Sequence, residues 1–139
     1  MSRKGQNFEI EIAKKLSLWW SNGKRDDIFW RSTTSGARST QRAKKGTKTK
    51  NSSGDLTILD VSGQCFLDFF HIEIKRGYTK TIDILDFLDR EKGIPILFKW
   101  WKKCELERER EKRKFRLVIF RRNNRRTRMM ISNECFSEI

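Results

Sequence analysis

The segment 35–54 contains Ser, Thr, Gly, Lys and Arg almost exclusively. It has no hydrophobic periodicity, so it offers neither a helix face nor a strand face to a core. The 139-residue chain must therefore build its core from the segments on either side, and that length fits a single domain, 1–139. We expect 35–54 to be a flexible basic loop that becomes ordered on a polyanion.

Hydrophobic spacing in the other segments predicts a mixed α/β domain. In chain order, the predicted elements are a helix at 6–20, a strand at 28–34, a strand at 55–61, an antiparallel partner strand at 65–75, a helix at 81–92, a strand at 96–101 and a strand at 115–120. Residues 102–114 alternate Glu with Arg and Lys. That pattern indicates a solvated, charged insertion, which forms either a short helix or a long hairpin.

The basic charge is concentrated in two regions. Residues 1–50 carry 13 basic and 4 acidic side chains, a net charge of +9, and residues 102–128 have the same counts. Residues 51–101 carry 6 basic and 8 acidic side chains, a net charge of −2, within a total of +14. Because Lys and Arg gain free energy by displacing counterions from phosphates, the two flanks predict a nucleic-acid partner rather than a merely soluble surface.

Several classes of protein are disfavoured by what the sequence lacks. No apolar run approaches the roughly 18 residues of a membrane span, and no signal-peptide stretch follows the start. The three cysteines are far apart and form no CxxC pair, which disfavours both a disulfide framework and a zinc knuckle. We expect a cytoplasmic protein, in the host cytoplasm if it is viral, with no membrane partner.

Two carboxylates and a lysine are predicted to meet at one edge of the sheet. Asp55 opens one strand, while Glu73 and Lys75 alternate on the next and therefore point to one side. If these strands form a hairpin, Asp55 comes close to Glu73. Carboxylate oxygens in that arrangement suit Mg²⁺, and a lysine beside them can stabilise negative charge on a phosphodiester. The alternative is a cross-strand salt bridge with no catalytic role.

Two further polar residues stand out in the sequence. Glu9 lies on or beside the apolar stripe of the first helix, so its carboxylate needs either a metal or a cation as a partner. His71, the single histidine of the chain, shares a strand face with Glu73 and Lys75. We interpret His71 as a polar neighbour on the strand rather than as a base.

The order of Asp55, then Glu73-Ile74-Lys75, resembles the signature of the PD-(D/E)XK nuclease superfamily. Further segments are similar to those of archaeal-type (Hjc-like) Holliday junction resolvases: Arg3-Lys4-Gly5 followed by Glu9, Arg31-Ser32 followed by Ser35-Gly36, and Gly93-Ile94-Pro95. The resemblance covers about residues 2–101. It departs at Ile10, where the family often has Arg, and at 37–54 and 102–114, which look inserted.

The resemblance implies a restriction-endonuclease-like fold, in which a central mixed β-sheet is flanked by helices. It implies Asp55, Glu73 and Glu9 as metal ligands, the Ile74 carbonyl as a further ligand, and Lys75 as the catalytic lysine. Mg²⁺, with Mn²⁺ as a substitute, is the implied cofactor, and no small-molecule cofactor is implied. The residues expected to contact DNA are Arg3, Lys4, Arg31, Ser35, Arg38, Arg42, Lys44, Lys45 and Lys48.

The implied function is the resolution of four-way DNA junctions by a homodimer. The Arg-rich stretch 121–128 is then expected to grip the junction arms together with the basic loop. Two alternatives stay open from the residues alone. One is another nuclease of the same superfamily, acting on flaps, ends or a base sequence, and the other is a basic nucleic-acid-binding protein without catalytic activity.

Overall fold

The computed structural model describes residues 2–32, 52–77 and 93–139. Most of the predicted basic loop 35–54 and the predicted helix 81–92 lie outside the described residues. So do several expected DNA contacts: Ser35, Arg38, Arg42, Lys44, Lys45 and Lys48. None of the helices in the described ranges combines the length and apolar character that a membrane crossing requires.

The first helix, α1, spans Arg3–Trp20 and confirms the helix predicted at 6–20. Ser2 caps its N-terminus: the Ser2 hydroxyl accepts a hydrogen bond from the Gly5 N–H at 3.2 Å and so satisfies a helix-end donor. It ends before Asn22 and Gly23, which both have positive φ values. The apolar stripe of α1 packs into the main core through Phe8, Ile12 and Ala13.

Within the described ranges, six short strands form two hydrogen-bonded groups. In the first group, β1 (Phe29–Arg31) and β2 (Ser52–Ser53) both pair antiparallel with β3 (Leu56–Ile58). In the second, β4 (Phe70–Arg76) pairs in parallel with β5 (Phe115–Arg121), and β5 pairs antiparallel with β6 (Arg128–Met130). Together with the helices they form a small α/β domain with a mixed sheet arrangement, as predicted.

The two groups of strands are joined by polar contacts between β2–β3 and β4. The Asp55 N–H donates to the Ile72 carbonyl at 2.9 Å, and the Ser53 hydroxyl donates to the Phe70 carbonyl at 2.7 Å. The backbone around Asp55 is therefore attached directly to the strand that carries Glu73 and Lys75.

The predicted strand 65–75 is correct only from Phe70 onward, and its predicted antiparallel pairing with 55–61 is wrong. A 3₁₀ turn at Val61–Gly63 leads into a short helix, α2 (Gln64–Phe69), and only then does β4 begin. The apolar residues of this stretch are nearly continuous, so strand alternation and helical spacing fit it equally well. In the structure Phe66 and Leu67 reach the core from the helical turn, and β4 pairs with β5 rather than with β3.

The predicted strand at 96–101 is also wrong, because α3 runs without interruption over Ile96–Glu111. Trp100 and Cys104, four residues apart, are buried against Val118 and Phe120 of β5. The segment 102–114 is therefore mostly the continuation of a packed helix rather than a solvated insertion, since helical spacing continues from its apolar start into its charged part.

Arg113, within that segment, is 1% exposed. Its guanidinium donates to Asp68 Oδ1 at 2.8 Å and to the Ser52 carbonyl at 2.9 Å, joining α2, β2 and the start of β5. The next element, β5, confirms the strand predicted at 115–120. A short helix, α4 (Asn133–Glu138), closes the described fold and buries Cys135.

Candidate active site

Asp55 is fixed to β4 through both its backbone and its side chain. Besides the backbone bond to Ile72, its carboxylate Oδ2 accepts a hydrogen bond from the Ile74 N–H at 2.7 Å. The residue is 8% exposed. The predicted proximity of Asp55 to the Glu73 segment is therefore present, although the contact runs from the β2–β3 turn and not through a hairpin.

Glu73 and Lys75 lie on the same face of β4, as the strand alternation predicted. Glu73 is 5% exposed, and its Oε1 lies 2.7 Å from the Lys75 Nζ. The ion pair is formed within one strand, between neighbours on one face. It holds the lysine ammonium beside the Glu73 carboxylate, next to the peptide that binds Asp55.

The carboxylates of this cluster act on one another's protonation. Burial raises the pKa of Asp55 to about 7, the negative charge of Glu73 adds to the effect, and the bond from Ile74 opposes it. The charge of Glu9 also raises the Asp55 pKa, and that of Lys75 lowers it. The structure thus brings Glu9, Asp55, Glu73 and Lys75 close enough together for their charges to affect the pKa values of Glu9 and Asp55.

Glu9 belongs to this group of charged residues and lies on the buried face of α1, as the sequence predicted. Burial raises its pKa, and a hydrogen bond from Arg31 opposes that rise. The Arg31 Nε donates to Glu9 Oε2 at 3.0 Å. Of the two partners expected for this carboxylate, a metal or a cation, the structure contains the cation. Arg31, expected to contact DNA, is used here to hold Glu9.

We expect the Arg31→Met variant to lose about 3 kcal/mol of unfolding free energy, because Glu9 then stays buried without its counter-charge. The double variant Arg31→Met, Glu9→Gln should recover most of that loss, since position 9 then carries no buried charge that needs a partner. Denaturant unfolding at pH 7 measures both. Losses that simply add in the double variant would contradict the proposed coupling.

The structure also gives the positions of Ile74, Arg3, Lys4 and the Arg-rich stretch 121–128. Ile74 lies between the two site residues of β4 and gives its N–H to Asp55; the role of its carbonyl as a metal ligand stays a prediction. Arg3 and Lys4 lie exposed on the first turn of α1. In the Arg-rich stretch, Arg121 donates to Glu11 at 3.0 and 2.8 Å, while the exposed arginines are Arg125, Arg126 and Arg128.

Sequence reasoning missed the contribution of α3 to this face of β4. The His71 Nε2 lies 3.0 Å from Glu107 Oε2, and its Nδ1 lies 3.5 Å from Glu111 Oε2. Burial alone would lower the His71 pKa, but the two carboxylates outweigh it and raise that pKa to about 9. Lys103 Nζ lies 3.8 Å from Glu73 Oε1 and 3.7 Å from Glu107 Oε1.

The signal for these residues was present in the sequence as a four-residue spacing. Lys103, Glu107 and Glu111 fall on one face of a helix, which becomes visible only when 96–111 is interpreted as helical. His71, Glu73 and Glu107 offer ligand atoms that all lie within 4.8 Å of one another.

The donor set at Asp55 and Glu73 fits a divalent cation. Both carboxylates are buried, and the pKa of Asp55 is raised by burial and by the charge of Glu73, so a positive ion between them would relieve an existing repulsion. Carboxylate oxygen is also the ligand type that Mg²⁺ and Mn²⁺ prefer.

Comparison with known proteins connects the chain to a family of endonucleases. No curated protein and no solved structure matches the chain. A family model described as "Phage putative PDDEXK endonuclease" matches residues 1–139, and this family is one of nucleases that typically depend on a divalent metal and act on DNA. The match covers the full sequence and agrees with the fold and with the grouping of acidic residues and lysine. The chain therefore belongs to this phage PDDEXK endonuclease family.

Proposed function

We propose that this protein is a Mg²⁺-dependent DNA endonuclease that resolves four-way junctions. The observation that carries the nuclease assignment is that Asp55, from the β2–β3 turn, lies against Glu73 and Lys75 of β4, with Glu9 beside them. Buried carboxylates with a raised pKa and a partly exposed lysine are what metal-assisted phosphodiester hydrolysis needs.

The reaction forms a bond between a water oxygen and phosphorus and breaks the bond to the 3′-oxygen. A bound Mg²⁺ would supply positive charge to the phosphate and lower the pKa of the attacking water. Asp55 and Glu73 would hold the ion through their carboxylates, with the Ile74 carbonyl as a further ligand. Mn²⁺, with similar ligand preferences, would substitute for Mg²⁺.

Lys75 would stabilise the developing charge, and its contact with Glu73 supports this role. Its Nζ is held 2.7 Å from Glu73 Oε1, so the ammonium stays beside the metal ligands instead of moving freely in solvent. An ammonium there would donate to a phosphate oxygen or to the water. Glu9, itself held by Arg31, would complete the acidic site from α1.

The choice of substrate follows from the charge distribution and the resolvase resemblance. The basic flanks address the phosphate backbone rather than base edges, which favours recognition of DNA by shape. We further propose a homodimer, because two equivalent sites related by a two-fold axis match the symmetry of a four-way junction. Sedimentation of the protein alone and with junction DNA measures the number of chains directly.

We expect synthetic four-way junctions to be cut at least about tenfold faster than linear duplexes of the same sequence in the presence of Mg²⁺. Shape recognition gives this preference because a linear duplex presents the same phosphates without the branch point. Gel assays on junction, flap and duplex substrates measure the three rates. Equal rates on junction and duplex would contradict junction resolution, and preferential cutting of flaps would favour the repair-nuclease alternative.

The Glu73→Gln variant separates a nuclease from a binding protein. It keeps the size of the side chain but removes the charge, so we expect DNA binding to persist and cleavage to fall at least about a hundredfold. A wild-type protein that binds but does not cut any of these substrates would favour the non-catalytic alternative.

A further inference from the structure

We propose that the face of β4 turned toward α3 carries a second metal site, formed by His71 Nε2, Glu73 and Glu107, that takes a transition metal such as Zn²⁺. The ligand atoms of these residues already lie within 4.8 Å of one another. The site shares Glu73 with the proposed catalytic centre but does not include Asp55. This second metal site therefore goes beyond the proposed nuclease function, and metal binding there can be tested without measuring DNA cleavage.

The chemistry of the donors selects the metal. An imidazole nitrogen combined with two carboxylates suits Zn²⁺, Mn²⁺ or Co²⁺, whereas Mg²⁺ prefers ligands that are all oxygen. His71 is the single histidine in the chain, so no other place offers an imidazole. The Asp55 side of Glu73 has only oxygen donors among the predicted ligands. The two sites therefore differ in the metal they should prefer.

The fold holds the donors from two elements. Strand alternation places His71 and Glu73 on the same face of β4, and α3 packs over that face with Glu107 one helical turn before Glu111. His71 is 1% exposed, and its Nε2 lies 3.0 Å from Glu107 Oε2. A buried imidazole in a fixed orientation is already positioned as a ligand, which lowers the entropic cost of binding an ion.

Two orphaned atoms support this interpretation. The His71 Nδ1 and the Glu111 Oε2 are both buried without a hydrogen-bond partner; they face one another at 3.5 Å, and the Arg113 Nε lies 3.7 Å from the same Glu111 oxygen. Buried polar atoms are normally hydrogen-bonded. A metal on Nε2 would displace the proton from that nitrogen into solvent and leave the other imidazole proton on Nδ1, pointing at the Glu111 carboxylate. This is the carboxylate–histidine–metal arrangement that orients ligating histidines.

The position of Lys103 shows where positive charge is favoured. Its ammonium lies 3.8 Å from Glu73 Oε1 and 3.7 Å from Glu107 Oε1, so a cation already stands between the two carboxylates. The Lys103 side chain is 57% exposed. Its long stem can therefore swing into solvent when a metal enters, so that the metal takes the place of the Lys103 ammonium between the two carboxylates, while Lys75 keeps its 2.7 Å contact with Glu73 Oε1.

The wild-type protein provides the direct test, because one histidine gives one pair of imidazole nitrogen signals. In ¹⁵N-histidine NMR, one equivalent of Zn²⁺ should shift Nε2 to the range of a metal-bound nitrogen and leave Nδ1 protonated. The same concentration of Mg²⁺ should leave both signals unchanged. Unshifted nitrogens with Zn²⁺, or coordination through Nδ1, would overturn the proposal.

Variants on α3 test the remaining donors by calorimetric titration with Zn²⁺. Glu107→Gln and Glu111→Gln should each weaken the affinity by about tenfold or more, as expected for a ligand and for its orienting partner. Glu109→Gln is the matched control on the same helix, since Glu109 is 61% exposed and outside the cluster, and should bind Zn²⁺ like the wild type. Unchanged affinity in Glu107→Gln would overturn the proposal.

The Asp55→Asn variant separates this site from the proposed catalytic centre. It removes a predicted Mg²⁺ ligand but none of the Zn²⁺ ligands, so it should retain the Nε2 shift with one equivalent of Zn²⁺. Loss of the shift in a folded Asp55→Asn protein would overturn the second site. Absence of DNA cleavage by the wild type would instead count against the proposed nuclease function, and would leave the Zn²⁺ result standing.

Discussion

The Asp55→Asn variant is expected to lose DNA cleavage and to gain stability as a metal-free protein at pH 8. Cleavage should fall at least about a hundredfold, because a predicted anionic metal ligand becomes neutral. Stability should rise by about 2 kcal/mol, since burial and the charge of Glu73 hold the Asp55 pKa at about 7, above its ordinary value of 3.8. An amide keeps the acceptor for the Ile74 N–H without the buried charge.

The pH dependence follows from the direction of that shift. A raised folded-state pKa means that Asp55 favours folding below pH 4, where it is protonated in both states, and that this contribution is lost as the pH rises to 7. The advantage of Asp55→Asn should therefore be present at pH 8 and small at pH 5. Denaturant unfolding in a chelator at both pH values measures it.

The exposed Asp27 supplies a matched control for this variant. Its pKa is lowered by the neighbouring Arg25, the opposite of the effect at Asp55. Asp27→Asn should therefore keep full cleavage and show no gain in stability at pH 8. An Asp55→Asn protein that still cuts DNA, or that is less stable than the wild type at pH 8, would contradict our assignment of this carboxylate.

The elements with a clear hydrophobic period could be predicted from the sequence. The three- and four-residue spacing over α1 matches one kind of element, because the buried face of this helix is defined by its own residues. The same holds within the site for Glu73 and Lys75, which share a face because they are two residues apart on a strand.

The elements with continuous apolar runs could not be predicted in the same way. The stretches around α2 and at the start of α3 contain apolar residues at nearly every position, and such runs fit either a buried strand or a buried helix. Tertiary packing decides between them: Trp100 and Cys104 become buried on one helix face against β5. Because 96–101 was predicted as a strand and 102–114 as a solvated segment, Glu107 and Glu111 were not recognised as residues that face β4.

The grouping of Asp55 with Glu73 was predicted, but for a wrong reason. The sequence argument needed a hairpin between 55–61 and 65–75, and the structure has none there. Asp55 reaches β4 because the backbone at Gly54 approaches Ile72 closely enough for direct hydrogen bonds. Such a close approach depends on the absence of a side chain at one position, and the hydrophobic pattern carries no information about it.

The Gly54→Ala variant should therefore destabilise the protein strongly and remove its cleavage activity. Gly54 has a φ of +62°, and a Cβ added there would lie 1.9 Å from the Ile72 carbonyl oxygen, which is backbone and cannot move aside. The strands must separate, which breaks the Asp55 N–H bond to Ile72 and displaces the carboxylate from Glu73. We expect a loss of about 4 kcal/mol or more of unfolding free energy.

Gly23→Ala separates the effect of the close approach from that of backbone conformation. Gly23 also has a positive φ, of +82°, but a Cβ there would meet nothing within 4 Å. Its cost should be only the backbone term, about 1 kcal/mol, with cleavage retained. Thermal unfolding and junction cleavage on the two variants measure the difference. Similar losses in both would mean that the contact between Gly54 and Ile72 does not place Asp55, and that another constraint brings the two carboxylates together.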